Sequence, residues 1–94
     1  ARGCVLMNWA ELPVSQRSRL GIVAAKRIGN AVVRSRAKRL LRQAFRLHQQ
    51  HLRVPAEIVL VARDSIKGRA FADVERDYLA ALRVAGLLKT SPDR

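Results

Sequence analysis

Between Lys26 and Arg46 the chain sets eight cations into 21 residues with no carboxylate among them: Lys26, Arg27, Arg34, Arg36, Lys38, Arg39, Arg42 and Arg46. The chemistry such a set can do is anion binding. Lys26 and Arg27 stand just ahead of Gly29-Asn30, where a helix is predicted to begin. The free amides and dipole of a helix N-terminus favour phosphate there. Arg34, Lys38, Arg42 and Arg46 recur at i, i+4, with Ser35, Arg36 and Arg39 beside them. At ~1.5 Å per residue this row spans about 18 Å, long enough to follow a folded RNA backbone past several phosphates. Arginine predominates over lysine in the row, and its planar fork suits bidentate phosphate contact and stacking.

Other chemistry finds little support. His48 and His51 are spaced i, i+3 and can share a helix face, but no acid or thiol lies near them in sequence. A zinc site normally takes four ligands, or three and a water, so these read as surface or RNA-adjacent histidines. Cys4 is the one cysteine and reads as a small buried hydrophobe; with no internal disulfide to form, it fits a reducing cytoplasm. Asp73, Glu75 and Asp77 fall at the start of a predicted helix, where solvent-facing carboxylates complement the dipole. Glu11 and Glu57 are too isolated in sequence to read as a general acid–base pair.

The charge is concentrated. Nineteen Lys and Arg oppose seven Asp and Glu in 94 residues, a net +12. The 45 residues between Glu11 and Glu57 hold eleven of the cations and no acid. Such crowding costs self-repulsion that a bound polyanion relieves. With 49% hydrophobic residues the chain is not a disordered tail. Trp9, Phe45, Phe71 and Tyr78 are the only aromatics, thin for a module that grips single strands chiefly by stacking. The length suits a single domain over 1–94. No apolar run approaches a membrane span, and the first residues lack the pattern of a signal peptide.

The elements that must position these residues follow from periodicity. Residues 3–9 read as a strand, with Cys4, Leu6 and Asn8 on one parity and Val5, Met7 and Trp9 on the other. Residues 11–18 read as a loop. Leu20–Ala25, apolar on both parities, reads as a strand interior to the sheet or one whose face receives a ligand. A hairpin of these two strands is the economical pairing. Asn30 is the predicted N-cap of a helix running to about Gln50, with Val33, Ala37, Leu40, Leu41, Ala44 and Leu47 in one apolar stripe and Phe45 at its edge. Pro55 closes that segment. Glu57–Ala62 is the clearest strand, and Phe71–Ala85 is a second helix with Phe71, Val74, Tyr78, Leu82 and Ala85 on one face, stopped by Gly86. The order is β-β-α-β-α, an α+β sandwich of helices on a small sheet.

The basic stretch closely resembles the signature of the protein subunit of bacterial ribonuclease P. The family's paired cations, Gly-Asn-Ala-Val turn, Arg-Asn-Arg, Lys-Arg, and further Arg before a Phe appear here as Lys26-Arg27, Gly29-Asn30-Ala31-Val32, Arg34-Ser35-Arg36, Lys38-Arg39, Arg42 and Phe45. Ser35 stands where the family has Asn, and a hydroxyl is shorter than an amide and offers one donor instead of two. The resemblance implies an arginine-rich helix inside a left-handed β-α-β crossover, an exception to the usual right-handed rule. It also implies a holoenzyme in the bacterial cytoplasm whose catalyst is RNA and which hydrolytically removes the 5′ leader of precursor tRNA. On that basis Arg34, Ser35, Arg36, Lys38, Arg39, Arg42 and Arg46 meet the catalytic RNA, with Lys26, Arg27 and Asn30 at the same surface. No catalytic residue lies in the protein, Mg2+ is bound mainly by the RNA and substrate, and one protein joins each RNA. The leader is expected across the open sheet face, touching Met7 and Trp9 or, on the other parity, Cys4, Leu6 and Asn8. The family's first helix, whose aromatics flank that groove, has no counterpart ahead of Cys4, so the domain reads as shortened at its N-terminus.

Three other classes are weaker. A ribosomal or other structural RNA-binding protein has similar composition but not this motif. A protein-only nuclease needs acid–base machinery that the sequence does not present. A helix-turn-helix DNA binder needs a second short helix beside the basic one, where strands are predicted instead.

Overall fold

A computed structural model describes residues 3–89. Three strands, β1 (Val5–Glu11), β2 (Arg19–Val23) and β3 (Ala56–Ala62), and two helices, α1 (Ala31–His48) and α2 (Phe71–Ala85), follow the predicted order. Short 3-10 turns at Lys26–Ile28, Gln49–His51 and Asp64–Ile66 connect them.

The sheet order is β1-β3-β2, which replaces the expected hairpin. β1 pairs antiparallel with β3, and β2 pairs parallel with β3. β3 takes the centre, and after Glu57 it is apolar on both faces: Ile58, Leu60 and Ala62 are buried on one side, while Val59 and Val61 are half-buried on the other. A central strand has all its backbone groups paired and needs no polar edge. β2, read as interior to the sheet or as a strand whose face receives a ligand, is an edge strand. Its parallel pairing obliges the chain to cross back over the sheet, and α1 is that crossover.

Register assigns the faces, since residues opposite one another across strands point the same way. Ile58 aligns with Trp9 and Leu20, Leu60 with Met7 and Ile22, and Ala62 with Val5. That side is covered by the helices, α1 packing on β2 and α2 on β1. The other side is open. It carries Leu6, Val61 and Val23 in one row, Asn8, Val59 and Gly21 in the next, and Ala10, Glu57 and Arg19 in the third.

The core lies between helices and sheet. Ala37, Leu40, Leu41, Ala44 and Phe45 supply it from α1, and Val74, Tyr78 and Leu82 from α2. Phe45, placed at the stripe's edge by the helical wheel, is buried, while Leu47, placed within the stripe, is 48% exposed. The buried arc of α1 is thus rotated toward Phe45, because α2 as well as the sheet packs against it.

The helix ends follow capping chemistry. The Asn30 side chain accepts a hydrogen bond from the Val33 amide at 3.0 Å, as expected of an N-cap. A Cβ on the preceding Gly29 would meet the Val33 side chain at 2.9 Å, so the turn into α1 closes only without one. α2 stops where Gly86 adopts φ 74°, with the Gly86 amide donating to Arg83 and the Leu87 amide to Leu82. These are the paired bonds of a Schellman motif.

Candidate RNA interface

α1 is dry along one side and cationic along the other. Ser35, Arg36, Arg39, Arg42 and Arg46 are exposed, and Arg34 and Lys38 are half-buried. None of the six cations Arg34, Arg36, Lys38, Arg39, Arg42 and Arg46 forms an ion pair among the described residues. Among the described residues, Glu57 faces Arg19 at 3.5 Å, Asp73 and Asp77 face Arg76, and Glu75 faces His48, all away from these six cations. The ridge therefore keeps its full charge for an external partner. Arg34 differs from its neighbours in that its Nε is buried without a hydrogen-bond partner among the described residues.

Lys26 and Arg27 occupy the 3-10 turn just ahead of α1, both exposed. Arg27 makes the one ion pair that draws on this set among the described residues, 3.8 Å to Asp64 with both side chains mostly in solvent. Pairs so exposed contribute little and exchange readily for a stronger anion. Asn30 is exposed, but its side-chain oxygen is engaged in the cap, leaving the amide nitrogen for any further contact. The predicted residues are thus brought onto one helix and its N-terminal approach.

Two depressions lie along the ridge. Arg39, Arg42, Gln43, Arg46 and the exposed Leu47 line a groove of about 460 Å³. Near the start of α1, Arg36 meets Lys67 and Gly68 over Val33, Ala37 and Ile66 in a recess of about 160 Å³. Lys67 was not singled out by sequence. Its only signal was charge, and 31 residues separate it from Arg36.

The register also separates the two parities of β1. Leu6 and Asn8 lie on the open face, while Met7 and Trp9 lie on the helix side, Met7 packed against the core and Trp9 36% exposed. Cys4, just before the strand, is fully buried.

The carboxylates of α2 are not solvent-facing dipole complements as a group. Asp77 accepts a hydrogen bond from the Cys4 amide at 3.0 Å. Its burial by itself would raise the carboxyl, but the Cys4 amide and thiol, with Arg76 and Arg69, outweigh that and hold it below its ordinary value. Burial, then the hydrogen bond to Asp77 and its negative charge, push the Cys4 thiol up to about 11. Glu75 meets His48 at 2.7 Å, and His48 Nδ1 lies 3.1 Å from His51 Nδ1. His48 thus has the acidic partner that sequence proximity did not provide, and it ties the end of α1 to α2. Burial also raises the Tyr78 phenol, whose oxygen has no hydrogen-bond partner among the described residues. Among the described residues no group of three or more His, Cys, Asp or Glu could hold a metal ion, and no helix is long and apolar enough to cross a membrane.

Comparison with known proteins gives this geometry a family. A family model described as ribonuclease P matches residues 2–86. The ribonuclease P protein component of Clostridium novyi is 39% identical over 70 residues, covering 74% of this chain and 62% of the relative. That of Syntrophomonas wolfei is 39% identical over 77 residues, covering 82% and 65%. The chain thus spans less than two thirds of these relatives' length. Among solved structures, the RNase P protein of Staphylococcus aureus superposes with a TM-score of 0.82 at 26% identity, over 95% of this chain and 81% of that one. The RNase P protein of Thermotoga maritima gives 0.75 at 25% identity, over 86% and 76%. A helix of unpaired arginines entered through Lys26-Arg27 and Gly29-Asn30, set in this three-stranded frame, places the chain in the family of ribonuclease P protein components.

Proposed function

We propose that this chain is the RNA-binding, non-catalytic subunit of ribonuclease P. It binds the catalytic RNA in the bacterial cytoplasm and helps hold the 5′ leader of precursor tRNA while the RNA cuts. One observation carries the reading: six cations on one helix stand without ion-pair partners among the described residues, in a family-typical frame. Lys26, Arg27 and Asn30 extend that surface past the start of α1, and Ser35 lies exposed within it. Magnesium, on this reading, is held mainly by the RNA and substrate, and one protein serves one RNA.

The leader runs over the open sheet face. Leu6 and Asn8 are the β1 residues that meet it there, in place of Met7, which packs inward, and of Trp9 on the helix side. The apolar row of Leu6, Val61 and Val23 offers unpaired bases a surface, and Arg19 beside it offers a charge.

Reconstitution tests this. Adding the protein to a bacterial ribonuclease P RNA should raise leader cleavage at low magnesium. No stimulation would favour a structural RNA-binding role, as in a ribosomal protein. Cleavage by rigorously RNA-free protein would instead indicate a protein-borne nuclease.

A further inference from the structure

The polar track on α1 does not end at Arg46. Gln50 follows it by four positions, within the 3-10 turn Gln49–His51 that continues the helix. Beyond lies an open cleft of about 650 Å³. Gln16 and Arg17 from the β1–β2 loop, Gln49 and Gln50 from the turn, and Arg53 and Lys89 line it, and among the described residues no carboxylate does. Leu52, Val54 and Pro55, buried or half-buried, give it an apolar base.

The cleft is built from three segments far apart in sequence and stitched together. The Leu12 amide donates to the Pro55 carbonyl at 2.8 Å and the Ala56 amide to Ser18 Oγ at 3.0 Å. The Arg53 amide donates to the Leu87 carbonyl at 2.6 Å and the Lys89 amide to the His51 carbonyl at 2.8 Å. Arg53 Nε donates to the Gly86 carbonyl at 2.9 Å, which fixes the guanidinium. Its terminal amino groups make no ion pair among the described residues. Walls held this way lose little freedom when a ligand arrives.

The side-chain chemistry selects the ligand. Three cations ask for phosphates, and three glutamine amides each offer donors and an acceptor. Together they match unpaired nucleotides, whose base edges are free for hydrogen bonds and whose rings can rest on apolar surface. A duplex hides those edges. We propose that this cleft takes a short unpaired segment of RNA, its phosphates against Arg17, Arg53 and Lys89 and its base edges against Gln16, Gln49 and Gln50. The inference rests on the RNA-binding reading above and adds a contact at the opposite end of α1 from Lys26 and Arg27.

The test is a two-dimensional NMR titration of the isotope-labelled full chain with a single-stranded octaribonucleotide of mixed sequence, and separately with an octaglutamate peptide. The oligonucleotide should shift the side-chain amide signals of Gln16, Gln49 and Gln50 and the backbone amides of Arg17 and Arg53. The Arg17→Ala/Gln50→Ala double variant should bind it about tenfold more weakly, with an otherwise unchanged spectrum. Arg17→Glu, a second variant at an exposed loop position, should weaken it further. Shifts confined to Arg34–Arg46 would overturn the cleft assignment while leaving the RNA-binding reading intact. Equal affinity and equal glutamine shifts with the peptide would also overturn it, because the cleft would then answer to charge alone. Cleft shifts retained alongside a failed reconstitution would sink the ribonuclease P reading and spare this one.

Discussion

Replacing Arg36, Arg39 and Arg42 together by alanine separates an RNA-docking ridge from a merely solvated helix face. All three side chains are exposed and none is ion-paired among the described residues, so the fold has nothing to lose through them. Exposed substitutions of this kind change stability by less than about 0.5 kcal/mol each. Arg34 is left in place, because its buried Nε would confuse a stability effect with a binding effect. If each arginine neutralises one phosphate, its loss removes about 1 kcal/mol near 0.1 M salt through counterions no longer released. The triple variant should therefore bind ribonuclease P RNA roughly a hundredfold more weakly. The log–log dependence of affinity on salt should flatten by about 2 to 3 units. Fluorescence anisotropy over a salt series measures both quantities, and a urea melt of the same sample checks the fold. An unchanged salt slope in a well-folded variant would refute the ridge as the docking surface. Weakened binding that tracks a lowered urea midpoint would assign those arginines to structure.

Four further expectations concern the frame that carries the ridge. Asn30→Ala deletes the 3.0 Å cap on Val33 and should cost about 1 kcal/mol in urea unfolding. Gly29→Ala drives a methyl to 2.9 Å from Val33 and should cost about 1–3 kcal/mol, while Gly68→Ala, with open space around it, should lose only what its positive φ imposes. The Asp77 carboxyl is held below its ordinary 3.8, so its contribution is present above that value and lost as pH falls through the lower native one. Acid titration of stability should show a steeper decline in the native chain than in Asp77→Asn. The Cys4 thiol, raised from 9.0 to about 11, favours the folded state below pH 9.0 and loses that advantage as pH climbs toward 11. A thiol reagent at mildly alkaline pH should label the urea-unfolded chain and spare the native one.

Local pattern revealed the helices and the central strand, and non-local meetings stayed hidden. Asn30, the switch to helical period and Gly86 are signals carried within a few residues, so α1 and α2 emerge with ends close to those observed. Val59 and Val61 beside Ile58 and Leu60 mark a strand apolar on both faces. Pairing is another matter. Residues 12–18 look like a hairpin loop, yet β1 and β2 each find a better edge on a strand more than thirty residues downstream of β2. That choice also decides which parity of β1 faces outward, which is why Met7 and Leu6 could not be told apart beforehand. The ridge was legible because one helix carries all of it. Glu75 at His48 and Asp77 at the Cys4 amide join groups 27 and 73 residues apart. Neither meeting leaves a mark in any window of sequence. The same holds for the cleft beyond Arg46, whose glutamines are unremarkable until three segments bring them together.

The middle position of β3 has a consequence for how the protein comes into being. Neither outer strand touches the other, so no sheet hydrogen bond between strands can form until residues 56–62 are available. During synthesis the first two strands and the whole of α1 must emerge and wait, since assembly proceeds from the N-terminus. Closing β2 onto β3 also spans the entire α1 segment, a separation that slows folding. Substitutions in Ile58 or Leu60 are then expected to retard folding more than those in β1, making the last strand to be synthesised the one that sets the pace.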